Sequence, residues 1–102
     1  MNRNKEYLNS YLLQSDTIRI LNEMILKNPS QKNQYLKRIK ICENKRYAIE
    51  NSIEKMKDPR LRVILYEKYV CGRTLEEISL ILNYSKRHIE RLHIAALKLF
   101  EI

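Results

Sequence analysis

Glycine and proline are scarce in this sequence: its 102 residues include one Gly and two Pro, and there is no Trp. A β-sheet needs tight turns, and Gly and Pro supply many of the backbone conformations that such turns require. Helices joined by short connections are therefore the expected architecture. The sequence predicts an all-α fold, with a length that suits one domain or one domain carrying a helical extension.

Long apolar segments and cysteine or histidine clusters are also missing. No stretch approaches the roughly 20 apolar residues that span a bilayer, and the first ten residues lack the apolar core of a secretion signal. We therefore expect a cytoplasmic chain with no membrane partner. Cys42 and Cys71 are far apart, which predicts buried free thiols. His88 and His93 point about 140° apart on a predicted helix, so we expect no metal and no cofactor.

Acidic residues are outnumbered: 20 Lys and Arg stand against 12 Asp and Glu, giving a net charge of +8. Such an excess favours a polyanionic partner, with nucleic acid the first candidate. Nothing in the sequence resembles an acid/base pair, an activated nucleophile or a glycine-rich phosphate loop. The chain is therefore expected not to be an enzyme.

Two long amphipathic helices are predicted in the first 57 residues. The first covers residues 5–27, and KNPSQ then breaks it, with Ser30 as the expected N-cap of the next helix. In the second, residues 31–57, apolar positions alternate in steps of four and three, spoiled only by Arg46. An antiparallel hairpin or coiled-coil extension over residues 1–57 is predicted. The same seam is also suited to pairing two chains, which leaves a homodimer open.

Local signals predict three shorter helices in residues 58–102. Asp58-Pro59 starts the first and Gly72 ends it. The sequence Thr74-Leu75-Glu76-Glu77 is a capping box for the second, and Asn83 can adopt the left-handed conformation that ends it. Ser85 caps a last helix over residues 86–100, with Ile89, Leu92, Ala96 and Leu99 expected to face inward.

The stretch from Leu75 to Leu92 fits the spacing of a helix-turn-helix. Its two helices must cross closely, so a small residue is needed at the contact, and Ser79 occupies that position. The turn position that favours a positive φ angle holds Asn83. Apolar or aromatic residues occupy the sites expected to be buried, namely Ile78, Leu82, Tyr84, Ile89 and Leu92. Any three-helix bundle can show such spacing, so the basic outer face is what favours DNA binding.

That outer face carries side chains suited to duplex DNA. Arg87 and Arg91 can each grip a guanine edge or a phosphate, and Lys86 suits a phosphate. Glu90 can accept a hydrogen bond from a cytosine amino group or form surface ion pairs. Backbone N–H groups at Thr74 can meet a phosphate. The candidate DNA-binding residues are Arg73, Thr74, Ser85, Lys86, Arg87, His88, Glu90 and Arg91.

The segment LRVILYEKYVCGRTLEEISLILNYSKRHIERLHIAALKLF, residues 61–100, resembles region four of sigma-seventy type sigma factors, the domain that reads the upstream promoter element. The resemblance implies that Lys86, Arg87, Glu90 and Arg91 contact bases and phosphates, and it implies RNA polymerase as a further partner. The first 57 residues do not align with a full sigma factor, so we do not expect a complete initiation factor. The architecture and composition resemble small regulators of phages and mobile elements in low-GC Gram-positive bacteria.

The sequence therefore predicts a sequence-specific regulator of transcription that binds double-stranded DNA through the helix over residues 86–100. A small-terminase-like DNA-packaging protein is one alternative, and oligomeric state separates it from a regulator. A helical protein-binding adaptor that uses the heptad seam is another.

Overall fold

The computed structural model describes residues 2–102, and the secondary structure in that range is entirely helical. Helix α1 spans Arg3–Lys27 and is followed by a 3-10 turn at Pro29–Gln31 and by α2 at Lys32–Glu54. Helix α3 spans Pro59–Leu65 and continues as a π-helical turn at Tyr66–Val70. Helices α4, Leu75–Leu82, and α5, Lys86–Leu99, complete the fold. The predicted all-α class is confirmed.

Helices α1 and α2 pack against each other as an antiparallel pair. The Tyr11 hydroxyl donates to Glu50 at 2.7 Å, and Arg46 donates to the Ser15 hydroxyl at 3.3 Å. Tyr11 is thus level with Glu50, and Ser15 is level with Arg46. Each residue further along α1 therefore lies beside a residue one position earlier in α2. The apolar seam of α2 closes on α1 within the chain, because Ile39, Cys42, Ile49 and Ile53 are all buried.

The larger of two clusters of buried side chains joins the hairpin to the later helices. Leu8 and Tyr11 come from α1, Ile49 and Ile53 from α2, and further members from the later elements are Leu61, Leu65, Tyr69, Ala96, Leu97 and Phe100. Phe100 lies 6.1 Å from the ring of Tyr7, centroid to centroid. Residues on both sides of the predicted boundary at 57/58 therefore share one core.

A side chain of α1 also satisfies the end of α5. The side-chain amide nitrogen of Asn4, Nδ2, donates to the backbone carbonyl oxygens of Leu97 at 2.8 Å and Phe100 at 2.9 Å. The last carbonyl groups of a helix have no partner within the helix, so such contacts stabilise its C-terminal turn. The position of α5 is thus fixed by the first turn of α1.

Two local predictions made from the sequence are wrong. Ser30 does not cap α2, because Pro29 begins a 3-10 turn that already contains Ser30, and no side chain caps the start of α2. Cys42 is a buried free thiol as expected, but Cys71 is exposed. Cys71 directly follows the π-helical turn, whose extra residue per turn rotates the chain relative to a regular helix.

Candidate nucleic-acid interface

Helix α4 begins at the predicted capping box. The Thr74 hydroxyl accepts a hydrogen bond from the Glu77 backbone N–H at 3.1 Å, and the Glu77 carboxylate accepts one from the Thr74 N–H at 2.9 Å. The hydrogen bond from the Thr74 backbone is the main cause that lowers the pKa of the Glu77 carboxyl. The carboxylate form, which accepts this bond, is therefore favoured and keeps the first turn of α4 closed.

A three-residue turn, Asn83 to Ser85, connects α4 to α5. Asn83 has φ 58°, in the left-handed region, and its N–H donates to Ser79. The Ser85 hydroxyl accepts from the His88 N–H at 3.1 Å and caps α5. These predicted turn and cap conformations are confirmed.

Helices α4 and α5 pack together with α3 around the smaller buried cluster. Ile64, Ile78 and Ile89 are fully buried there, one from each helix. Ser79 is also buried, and its hydroxyl donates to the Glu76 carbonyl at 2.6 Å, so it brings no unsatisfied group into the contact. The small side chain at this position agrees with a close crossing of the two helices. The helix-turn-helix assignment itself stays a prediction.

Two residues that were expected to face inward do not. Tyr84 is 36% exposed and packs edge-on against the His88 ring at 4.9 Å, and Leu99 is 65% exposed. Leu97 and Phe100 are buried in place of Leu99. Because Phe100 packs on Tyr7 of α1, the inward face at the end of α5 is set by the hairpin and not by the helix's own periodicity.

The outward face of α5 presents a row of cations. Arg87, Arg91 and Lys98 are exposed. At about 100° per residue they lie within about 40° of one another around the helix, on the side away from buried Ile89. Within residues 2–102, none of them forms an ion pair, and Glu90 forms none either. These charges are therefore available to an external partner.

The remaining candidate residues lie near the starts of α4 and α5. Lys86 is exposed at the first position of α5. Arg73 is exposed and pairs with Glu67 at 2.6 Å. Thr74 and Ser85 are exposed and act as caps, and His88 is half-buried beside Tyr84.

A cleft beside the start of α4 contains residues that sequence reasoning missed. Its volume is about 440 Å³, and its lining combines Lys68, Arg73 and Lys86 with Asn9 of α1. The predicted residues Arg73 and Lys86 are thus brought together here with Lys68, a third cation. No sequence signal connects Asn9 with Lys68, because only the packing of α1 on the π-helical turn brings them to one cleft.

The second histidine of α5 has a structural role. His93 is buried, and its Nε2 lies 2.7 Å from the Tyr69 hydroxyl. Burial, with smaller effects from the charges of Lys68 and Lys5, lowers the pKa of His93 to about 4. Among residues 2–102, no group of three His, Cys, Asp or Glu side chains is placed to hold a metal ion.

Comparisons with protein-family models, with curated proteins and with solved structures give no match to the chain. Across residues 2–102, no helix combines the length and the apolar character needed to cross a membrane.

Proposed function

We propose that this chain is a sequence-specific regulator of transcription that binds double-stranded DNA and places α5 in the major groove. The observation that carries the proposal is the row of exposed, unpaired cations on α5, Arg87, Arg91 and Lys98. Eleven residues of helix separate the ends of this row, which is about 16 Å. That length corresponds to about five base pairs at 3.4 Å each.

The dimensions of α5 support this mode of binding. A helix with its side chains is about 10–12 Å across, and the major groove of B-DNA is about 12 Å wide. Arg87 and Arg91 would read guanine edges with two hydrogen bonds each, and Glu90 would accept from a cytosine amino group. The resemblance to sigma region four supports the same roles for these residues.

Contacts to the DNA backbone would set the register of α5. Lys86 and Arg73 line one cleft with Lys68, beside the capped start of α4. A phosphate there would meet Lys68 and Lys86, which form no ion pair within residues 2–102, and the free N–H groups of the first turn of α4. Arg73 is paired with Glu67, and Glu76 also lines the cleft. Ser85 and His88, in the first turn of α5, would face the same strand. Such contacts position the protein without reading sequence.

The regulatory part of the proposal rests on the same resemblance. Region four of sigma factors acts together with RNA polymerase, and we therefore include RNA polymerase as a second partner. A phage or mobile element is the proposed source of the chain. The adaptor alternative depended on the seam of α2, which α1 covers.

Selection of binding sites from random duplex DNA tests the proposal. We expect the wild-type chain to enrich one motif, and Arg87→Ala and Arg91→Ala to relax different positions of that motif. Lys40→Ala, an equal loss of charge at an exposed site on α2, is the matched control and should leave the motif unchanged. Identical motifs from all four proteins would contradict the reading roles of Arg87 and Arg91.

Salt titration measures the phosphate contacts separately. The logarithm of the binding constant should fall linearly with the logarithm of salt concentration, and each lost phosphate contact should reduce the slope by about 0.9. Lys68→Ala and Lys86→Ala are expected to reduce the slope without changing the selected motif. Binding that does not respond to salt would rule out a DNA interface of this kind.

A further inference from the structure

One apolar side chain lies among the charged residues on the outward face of α5. Ile94 is 54% exposed, although Ile89 of the same helix is fully buried. Side chains three and four positions apart are neighbours on the surface of a helix. At these spacings the neighbours of Ile94 are Glu90, Arg91 and Lys98, which are exposed, and Leu97, which is buried. An exposed isoleucine is therefore bordered by charged side chains at three of its four nearest positions.

Helix geometry places Ile94 within the row of cations. At about 100° per residue, Ile94 lies about 20° around α5 from Arg87 and about 40° from Lys98. It lies no more than about 60° from any member of the row. Leu99, which is also exposed on α5, lies about 100° from Lys98 and thus outside the row. Of these two apolar side chains, Ile94 alone shares the direction of the cations.

The height of Ile94 along α5 sets which base pair it would meet. A helix rises about 1.5 Å per residue, so Ile94 is about 4.5 Å beyond Arg91 and about 10.5 Å beyond Arg87. These distances correspond to about one and about three base pairs at 3.4 Å each. With α5 in the major groove, Ile94 would face the base pair next to the one that Arg91 contacts.

The chemistry of the major groove limits what an isoleucine can contact there. The base edges present hydrogen-bond donors and acceptors, and their one apolar group is the C5-methyl of thymine. An isoleucine pressed against a donor or acceptor would remove water from it without replacing the lost hydrogen bond, which is unfavourable. Contact with the thymine methyl instead removes apolar surface of both partners from water, which is favourable.

We propose that Ile94 selects thymine by contact with its C5-methyl in the major groove. This role rests on the proposed function, because it requires α5 to bind in the groove. The bases contacted by Arg87, Arg91 and Ile94 then follow one another along the motif, about two base pairs and then about one base pair apart. One helix would thus recognise guanine through hydrogen bonds and thymine through an apolar contact.

Charge favours DNA over an apolar protein surface as the partner of Ile94. Within residues 2–102, Arg87, Arg91 and Lys98 form no ion pair. An apolar protein surface laid on Ile94 would also cover these cations and remove them from water without supplying an opposite charge, which is costly. DNA supplies phosphates to the cations and, for the neighbouring Glu90, the amino group of cytosine.

Replacing thymine by uracil in the selected duplex tests the contact, because uracil lacks only the C5-methyl and pairs in the same way. At one position of the motif, we expect wild type to bind the uracil duplex about fourfold more weakly, as for the loss of one buried methyl group. Ile94→Ala should bind the two duplexes almost equally. Leu99→Ala is the matched control, since Leu99 is exposed outside the row and its loss should leave the fourfold difference unchanged.

A change of specificity provides a second readout. The amide of glutamine can form two hydrogen bonds with adenine, so Ile94→Gln should select adenine in place of thymine at this position of the motif. The positions assigned to Arg87 and Arg91 should stay as in wild type. Because no charge is lost, Ile94→Ala should keep the wild-type salt dependence of binding, unlike Arg87→Ala.

The outcomes separate the role of Ile94 from DNA binding itself. Three results would overturn the role of Ile94 while DNA binding stands: a wild-type chain that binds every uracil duplex as tightly as the thymine duplex, an Ile94→Ala variant with the full fourfold difference, and an Ile94→Gln variant that selects the wild-type motif. A wild-type chain that enriches no motif would overturn the proposed function and the role of Ile94 with it. Far-ultraviolet circular dichroism of each variant checks that helix content is retained.

Discussion

Acid should destabilise this fold through His93, and the effect can be isolated from every other titration. His93 is buried against Tyr69, with its Nε2 2.7 Å from the hydroxyl, and burial also raises the pKa of Tyr69 to about 12. The phenol therefore stays protonated, and it donates to Nε2 when the neutral imidazole carries its proton on Nδ1. A proton added to His93 would create a charge that is removed from water and lies near Lys68 and Lys5.

The sign and size of the effect follow from the two states of His93. Its pKa is about 4 in the folded chain and about 6.5 when unfolded, so between these values the unfolded chain binds more protons. The free energy of unfolding therefore falls as pH decreases through this window. Proton linkage at this one residue therefore lowers the free energy of unfolding by about 2 kcal/mol between pH 7 and pH 5. That is a large share of the roughly 5–15 kcal/mol that stabilises a typical domain.

Urea unfolding of wild type and His93→Gln at a series of pH values measures this loss. Glutamine keeps a hydrogen-bond acceptor near Tyr69 but does not titrate. Between pH 7 and pH 5 the free energy of unfolding should therefore fall by about 2 kcal/mol less in the variant than in wild type. His88→Gln is the control, because it removes the half-buried histidine of the same helix and should follow wild type. If the curves of wild type and His93→Gln run parallel, the assignment of His93 is refuted.

Three further substitutions test the packing and caps of the candidate interface. Ile89→Ala removes a fully buried side chain between α3, α4 and α5 and should cost about 2–5 kcal/mol in urea unfolding; a loss below 1 kcal/mol would contradict the cluster. Asn83→Val, at φ 58°, should destabilise by about 1–2 kcal/mol whereas Asn83→Gly should not, and equal melting temperatures would argue against the left-handed turn. Thr74→Ala should cost about 1 kcal/mol by the same measurement, while Thr74→Ser should retain most of the stability; a Ser variant as weak as the Ala variant would exclude the capping role.

The sequence predictions were correct where a feature depends on residues that are close together in the chain. The starts of α3, α4 and α5 were predicted because Asp58, Thr74 and Ser85 hydrogen-bond to backbone N–H groups two or three residues away. Asn83 was predicted for the same reason, since its left-handed conformation depends on its own side chain. Such information is present in any short window of sequence.

Features that depend on distant residues were predicted poorly. Leu99 was expected to be buried, but contacts of Phe100 with α1 decide which side of α5 faces inward. The exposed row on α5 could be predicted from helical periodicity alone, whereas the cleft that joins Asn9 to Lys68 could not. Charge patterning indicated the candidate site, and only tertiary packing added its neighbours.

The hydrogen bonds from Asn4 to Leu97 and Phe100 also constrain the order in which the fold can assemble during translation. Helix α1 is synthesised long before α5, yet its side chains Leu8 and Tyr11 belong to the same core as Leu97 and Phe100. The nascent hairpin can pair α1 with α2 but cannot complete this core until the ribosome has added the final turn of α5. Until then, the surface reserved for α5 is exposed on the growing chain.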